Sequence, residues 1–228
     1  MRVVPYDLAA AVEVGRTSPT AADVRVHLNG GAWRGGLWIG LVRQLQAQYT
    51  EDVLASWHFC GMSAGACYAL ALAMNFPAAK LEALVCVAAA KARSHTLGVA
   101  FSVNVITGQI IKDMIADVEE GELMRRLRGR FALCFTAFVC ARCSPTSYLA
   151  TDFESKDDLF KACVSSSYIP FFSSLTYHPR LCGIRAFDGG LTPDGCVPLL
   201  PKASPGVSEF YECGEIGRFR SSFPSSRS

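Results

Sequence analysis

Histidine is scarce in this chain, with four among 228 residues: His27, His58, His95 and His178. None follows residue 178, so a Ser–acid–His triad in that chain order would have to run through His178, with an acid such as Asp152. Charge is also sparse. Only 18% of residues are charged and the net charge is +2, a surplus too small to argue for a nucleic-acid partner. No apolar run is long enough to cross a bilayer; Phe131 to Ala141 and Leu84 to Ala90 read instead as a buried strand and a helix face. Met1 to Asp7 is broken by Pro5 and Asp7 and has no sustained apolar stretch of the signal-peptide kind, which predicts a cytoplasmic protein. Paired cysteines are nearly absent: of ten, only Cys140 and Cys143 form a Cys-x-x-Cys, with no second pair at metal-ligand distance. Cys60, Cys67, Cys86 and Cys134 sit in apolar segments and read as reduced thiols serving as small core hydrophobes. Redox or zinc chemistry at Cys140 and Cys143 is the alternative.

What is present is apolar bulk in alternating patterns. Half the residues are hydrophobic, which excludes disorder and suits one large domain with a well-buried core. The expected organisation is an N-terminal extension over 1–22, one domain over 23–214 and a low-complexity tail over 215–228 containing Ser221 to Ser226. Strands are predicted near Val24–Leu28, immediately before Ser63, and over Phe131–Val139. Helices are predicted from about Gly36 to Gln48, over Ala64–Asn75, Pro77–Lys91, Thr107–Leu127 and Lys156–Val164. Strands interleaved with such helices imply an α/β fold with a mostly parallel, doubly wound sheet.

Three glycine-containing motifs carry the chemistry. Gly61-Met62-Ser63-Ala64-Gly65 lies between an apolar run and an Ala- and Leu-rich helix. A strand turning through small residues into a helix lifts a serine hydroxyl clear of the sheet, and glycines on either side permit the cramped dihedrals. Asn29-Gly30-Gly31-Ala32-Trp33-Arg34-Gly35-Gly36 follows the first strand. Adjacent backbone N–H groups at such a turn can converge on one oxygen, reinforced by the positive end of the next helix. Phe187-Asp188-Gly189-Gly190 comes 125 residues after Ser63. Taken alone it is a turn signal; beside the other two it offers a base. Composition makes the joint occurrence an accident on the order of 1 in 10,000.

In order and context these residues resemble the patatin-like phospholipases, a family of Ser–Asp lipid acyl hydrolases, from about Val24 to about Pro201. The resemblance implies a three-layer α/β/α fold, Ser63 as nucleophile and Asp188 as its base without histidine. It implies an oxyanion hole from Gly30, Gly31, Ala32 and Gly35, with Arg34 bracing the loop. Gly61, Gly65, Gly189 and Gly190 are then the glycines of the elbow and the Asp turn. No metal or organic cofactor is implied. The partner is a lipid substrate met peripherally at a membrane or lipid-droplet surface, with no nucleic acid and no transmembrane segment. One departure is Ala32, where the family commonly has a third glycine; a catalytically impaired lipid-binding regulator of the same fold is the second reading. Ser165-Ser166-Ser167-Tyr168-Ile169-Pro170 and Thr151-Asp152-Phe153 also match family stretches, the former assigned to packing near the site. Arg125, Arg126, Arg128 and Arg130 read as a solvated helix end, or else as an attraction to anionic headgroups.

Overall fold

A computed structural model describes residues 1–5, 24–31, 35–94, 103–138, 145–173 and 179–191. His95, His178, Cys140, Cys143, the end of the strand expected to reach Val139, and the C-terminal tail lie outside the described residues.

The strands are β1 (Arg2–Pro5), β2 (Arg25–Leu28), β3 (His58–Met62), β4 (Phe131–Ala137), β5 (Thr146–Thr151), β6 (Arg180–Leu181) and β7 (Ile184–Asp188). The helices are α1 (Gly35–Gln48), α2 (Glu51–Ala55), α3 (Ala64–Met74), α4 (Ala78–Ser94), α5 (Val103–Ile115), α6 (Glu120–Leu127) and α7 (Lys156–Ser166). The sheet is ordered β1-β5-β4-β3-β2. Its heart, β2–β3–β4, is parallel, as the alternating pattern predicts. β5 pairs antiparallel with β4, and β1 antiparallel with β5. Arg2–Pro5, inside the segment expected as an extension, is therefore a strand of the sheet.

β4 is buried along its whole length, and its alternating side chains serve two faces. Phe131, Leu133, Phe135 and Ala137 join the main core; Ala132 and Cys134 join a smaller cluster with Met62 and Leu149. Against the main-core face lies α3, buried from Gly65 to Met74. A helix that is apolar all round is a central helix. It stops at Asn75, whose left-handed backbone (φ 53°, ψ 40°) returns its N–H to the carbonyls of Ala71 and Leu72. Pro77 then excludes continuation.

The single helix expected over Thr107–Leu127 is two. α5 ends at Ile115, and Glu119 caps α6 by accepting from the N–H groups of Gly121 and Glu122 at 2.9 and 2.7 Å. The apolar period runs on across the break because both helices pack on the same core, which hides the interruption. The basic cluster is largely structural. Arg125 and Arg126 bind Glu122 at 2.7 Å, and Arg126 also reaches the Met74 carbonyl. Arg130 donates to the carbonyls of Leu54, Trp57 and Arg126, tying α2 and α6 to the start of β4. Among the described residues, no helix is long and apolar enough to cross a membrane.

Candidate active site

Ser63 stands where β3 turns into α3, with φ 53° and ψ −130°. Side chains rarely accept such a conformation, at a cost of roughly 1–3 kcal/mol, and it persists only where the surroundings enforce it. They do so through the neighbouring glycines. A Cβ on Gly61 would lie 2.6 Å from the Ala66 Cα, so α3 seats directly on β3. A Cβ on Gly65 would lie 2.0 Å from the Leu28 carbonyl oxygen, so the first turn of α3 seats on the end of β2. The Ser63 hydroxyl makes no capping bond to its own helix. It is thus not spent on the role that serine usually takes at a helix start.

A second clamp comes from α7. The buried Ser166 hydroxyl donates to the Cys134 carbonyl at 2.5 Å and accepts from the Ser63 N–H at 3.0 Å. One side chain therefore ties the elbow to the adjacent strand. The sequence marked this serine-rich segment as packing near the site; the polar bridge itself needed the tertiary structure.

The sheet sets Asp188 beside the elbow. Met62, the last residue of β3, lies opposite Cys134 on β4; Asp188, the last residue of β7, lies opposite the next residue, Phe135. β5 occupies the other edge of β4 from Leu133 to Ala137, so β3 and β7 meet end to end along one edge. A Cβ on Gly189 would fall 2.4 Å from the Met62 Cγ and 3.0 Å from the Cys134 carbonyl oxygen, so only glycine fits at this junction. The Asp188 N–H donates to the Tyr168 carbonyl at 2.7 Å, holding the strand end against the segment after α7.

The Asp188 carboxyl is 6% exposed. Burial pushes its pKa above the usual carboxylate value, while the Ser63 side chain and the Gly190 N–H oppose that rise by favouring the ionised form. Its Oδ1 accepts from the Gly190 N–H at 2.8 Å; its buried Oδ2 has no partner of good hydrogen-bond geometry among the described residues. The arrangement can shuttle a proton: a serine hydroxyl beside a desolvated carboxyl whose proton affinity is raised.

The glycine-rich loop reaches the same place. A Cβ on Gly30 would lie 3.0 Å from the Ser63 Cβ and 3.5 Å from its Oγ. Gly31 follows it, and Gly35 opens α1. Ala32 and Arg34 lie outside the described residues. Neither described histidine touches the site in the manner of a triad: His58 Nδ1 pairs with the Gly129 carbonyl at 2.8 Å, and His27 stands opposite Cys60. Asp152, the acid of a triad through His178, is exposed and accepts from its neighbour Thr151 at 3.3 Å.

Comparison with known proteins agrees in extent with the motifs. A family model described as patatin-like phospholipase matches residues 26–198. The mouse protein named 1-acylglycerol-3-phosphate O-acyltransferase Pnpla3 is 29% identical over 157 residues, which is 67% of this chain and 35% of that protein. Patatin-like phospholipase domain-containing protein 2 is 29% identical over 185 residues in mouse and 27% over 182 in human, 79% of this chain in each case and 36% and 34% of those proteins. The chain thus spans about a third of the length of the curated relatives it matches. No solved structure matches it.

Proposed function

The chain belongs to the patatin-like phospholipase family, and on that premise we propose that it is a lipid acyl hydrolase cleaving carboxylic esters of phospholipids or acylglycerols through a Ser63–Asp188 dyad. Ser63 attacks the ester carbonyl as Asp188 takes its proton. Asp188 then returns that proton to the leaving alcohol, leaving an acyl-enzyme on Ser63. Water, activated by the same carboxylate, releases the fatty acid. Backbone N–H groups of the loop at Gly30, Gly31, Ala32 and Gly35 hold the developing oxyanion, helped by the positive end of α1, which follows that loop. Arg34 braces that loop, and the domain acts peripherally at a lipid surface in the cytoplasm.

The observation that carries the reading is the end-to-end meeting of β3 and β7 on β4, which brings a strained, uncapped serine beside a buried carboxyl. The test is labelling with a fluorophosphonate probe. Ser63 should be covalently modified in the folded chain and Ser63→Ala should be silent. Absent labelling of the folded protein, or persistent labelling of the variant, overturns the assignment.

A second reading follows from one relative's name: the acyl-enzyme passes its acyl group to a 1-acylglycerol-3-phosphate hydroxyl instead of to water. Incubation with a radiolabelled acyl donor and that acceptor separates the two by the product formed, free fatty acid or diacylated glycerol phosphate.

A further inference from the structure

The face of the sheet turned away from the main core carries a group of side chains that ester cleavage does not use. His27, Cys60 and Cys134 sit on the three successive parallel strands β2, β3 and β4. His27 lies directly opposite Cys60; Cys60 and Cys134 are diagonal neighbours with sulfurs 3.9 Å apart. Both His27 ring nitrogens are shielded from solvent with no partner of good hydrogen-bond geometry among the described residues; Cys60 is the group they face. Met62, Ala132, Cys134 and Leu149 pack together there, with Cys60 partly buried against them.

Thiols in apolar surroundings are ordinarily hard to ionise, and burial pushes Cys67 and Cys163 up in that way. Cys60 goes in the opposite direction. The Cys134 thiol beside it favours its thiolate most, the His27 imidazole adds to that, and together they outweigh burial. Cys134 is pushed up in turn, by Cys60 beside it and by burial; geometry alone lets either thiol donate.

We propose that Cys60 is a peroxide-reactive thiol, a modification site in which Cys134 donates a hydrogen bond to its sulfur and the His27 imidazole stands directly opposite it on β2. The Cys60 sulfur attacks one oxygen of hydrogen peroxide; an S–O bond forms and the O–O bond breaks. The departing hydroxide takes up a proton, equal to the one the thiol gave up, and leaves as water. Sulfur loses two electrons and becomes a sulfenic acid, while the peroxide is reduced. Cys134 does not convert this to a disulfide in place, because an offset of two positions in register sets the two backbones about 8 Å apart, more than a disulfide spans.

The consequence for activity rests on the dyad reading above. Met62 packs in the same cluster, abuts Gly189 and precedes Ser63. An added oxygen on Cys60 crowds Met62 and displaces the elbow from the Asp188 turn.

The test treats the full chain with a few equivalents of hydrogen peroxide in the presence of dimedone, which tags sulfenic acids, and maps the tag by peptide mass spectrometry. Cys60 should carry at least tenfold more tag than the exposed Cys86 and Cys182, although it is less accessible than either. His27→Gln and Cys134→Ala should each cut Cys60 tagging about tenfold while far-UV circular dichroism stays native. Equal or greater tagging of Cys86 or Cys182 in the wild type overturns the proposal without reference to any variant. So does Cys60 tagging that survives both folded variants unchanged. If the untreated chain hydrolyses an ester, that activity should fall in proportion to the Cys60 tag; full activity on the tagged protein refutes the link through Met62. A chain that tags at Cys60 but never hydrolyses esters refutes the dyad reading alone.

Discussion

Two adjacent serines in α7 should respond in opposite ways to the same substitution. Ser166 is wholly buried, and its hydroxyl serves the Ser63 N–H and the Cys134 carbonyl. Ser166→Ala leaves both backbone groups without that partner in the interior. An unsatisfied buried polar group costs about 1–3 kcal/mol, and relaxation recovers part of the sum, so a loss of ~2–4 kcal/mol is expected. For a domain of this size each kcal/mol moves the melting temperature by about 2–4 °C, so the midpoint should fall by roughly 6–12 °C for a loss near 3 kcal/mol. Ser165 is equally buried, but its hydroxyl has no partner among the described residues. Ser165→Ala removes an uncompensated polar atom and should change stability by no more than about 0.5 kcal/mol, or improve it. The assay is thermal and urea unfolding of both variants beside the wild type, followed by hydrolysis of a short-chain nitrophenyl ester below the melting transition. Because Ser166 fixes the turn that carries Ser63, its loss should also lower kcat by about 100-fold, the scale of a 1 Å misplacement. Equal effects of the two substitutions, or a Ser166→Ala protein with native stability and turnover, would refute the bridge.

Asp188→Asn keeps the turn but cannot accept a proton, so turnover should fall at least ~100-fold. Burial raises this carboxyl in the fold, so the folded state holds its proton more tightly than the unfolded chain does. That contribution favours folding at low pH and is lost as pH rises through the raised value, so at pH 7 the asparagine variant should melt no earlier than the wild type. The acid limb of the rate profile should lie above the ordinary aspartate value and survive replacement of every histidine; a limb that disappears in His178→Ala would restore the triad. Ser63→Gly should abolish turnover yet raise stability by about 1 kcal/mol or more in urea unfolding, since glycine accepts φ 53° without strain. Ala32→Gly should preserve or raise turnover, and a drop beyond about tenfold would show that the methyl group is needed.

The legibility of these features in the sequence followed the range of the interactions behind them. The Ser63 elbow is readable because a strand-to-helix turn requires small residues within two positions of the nucleophile, and Gly61 and Gly65 supply them. α3 and α7 are readable from period and stop signals; α7 even carries its cap, Ser155, accepting from Asp158. β1 and β5 are not, because each is short and acquires its strand geometry from a distant partner. The α5–α6 break escaped because its cap is a glutamate, a residue that rarely takes the position. Arg130 shows the same limit from the other side: a basic run suggests a charged surface, whereas its guanidinium is turned onto three carbonyls by contacts no local pattern encodes.

The end-to-end seating of β3 and β7 on one edge of β4 also imposes an order in time. β3 is parallel to β4 and is followed by α3, so the strand-to-helix turn can form once β4 arrives and is clamped when α7 brings Ser166 to it, still ahead of β7. The slot beside Phe135 stays open until β7 emerges, more than fifty residues later. Closing so distant a contact is the slow kind of folding event, because loop-closure entropy precedes any reward. On a ribosome that adds roughly 5–20 residues each second, the clamped nucleophile therefore precedes its base by about a second or more. A nascent chain carries an unarmed serine, and hydrolytic competence, on the proposed chemistry, appears only when β7 docks.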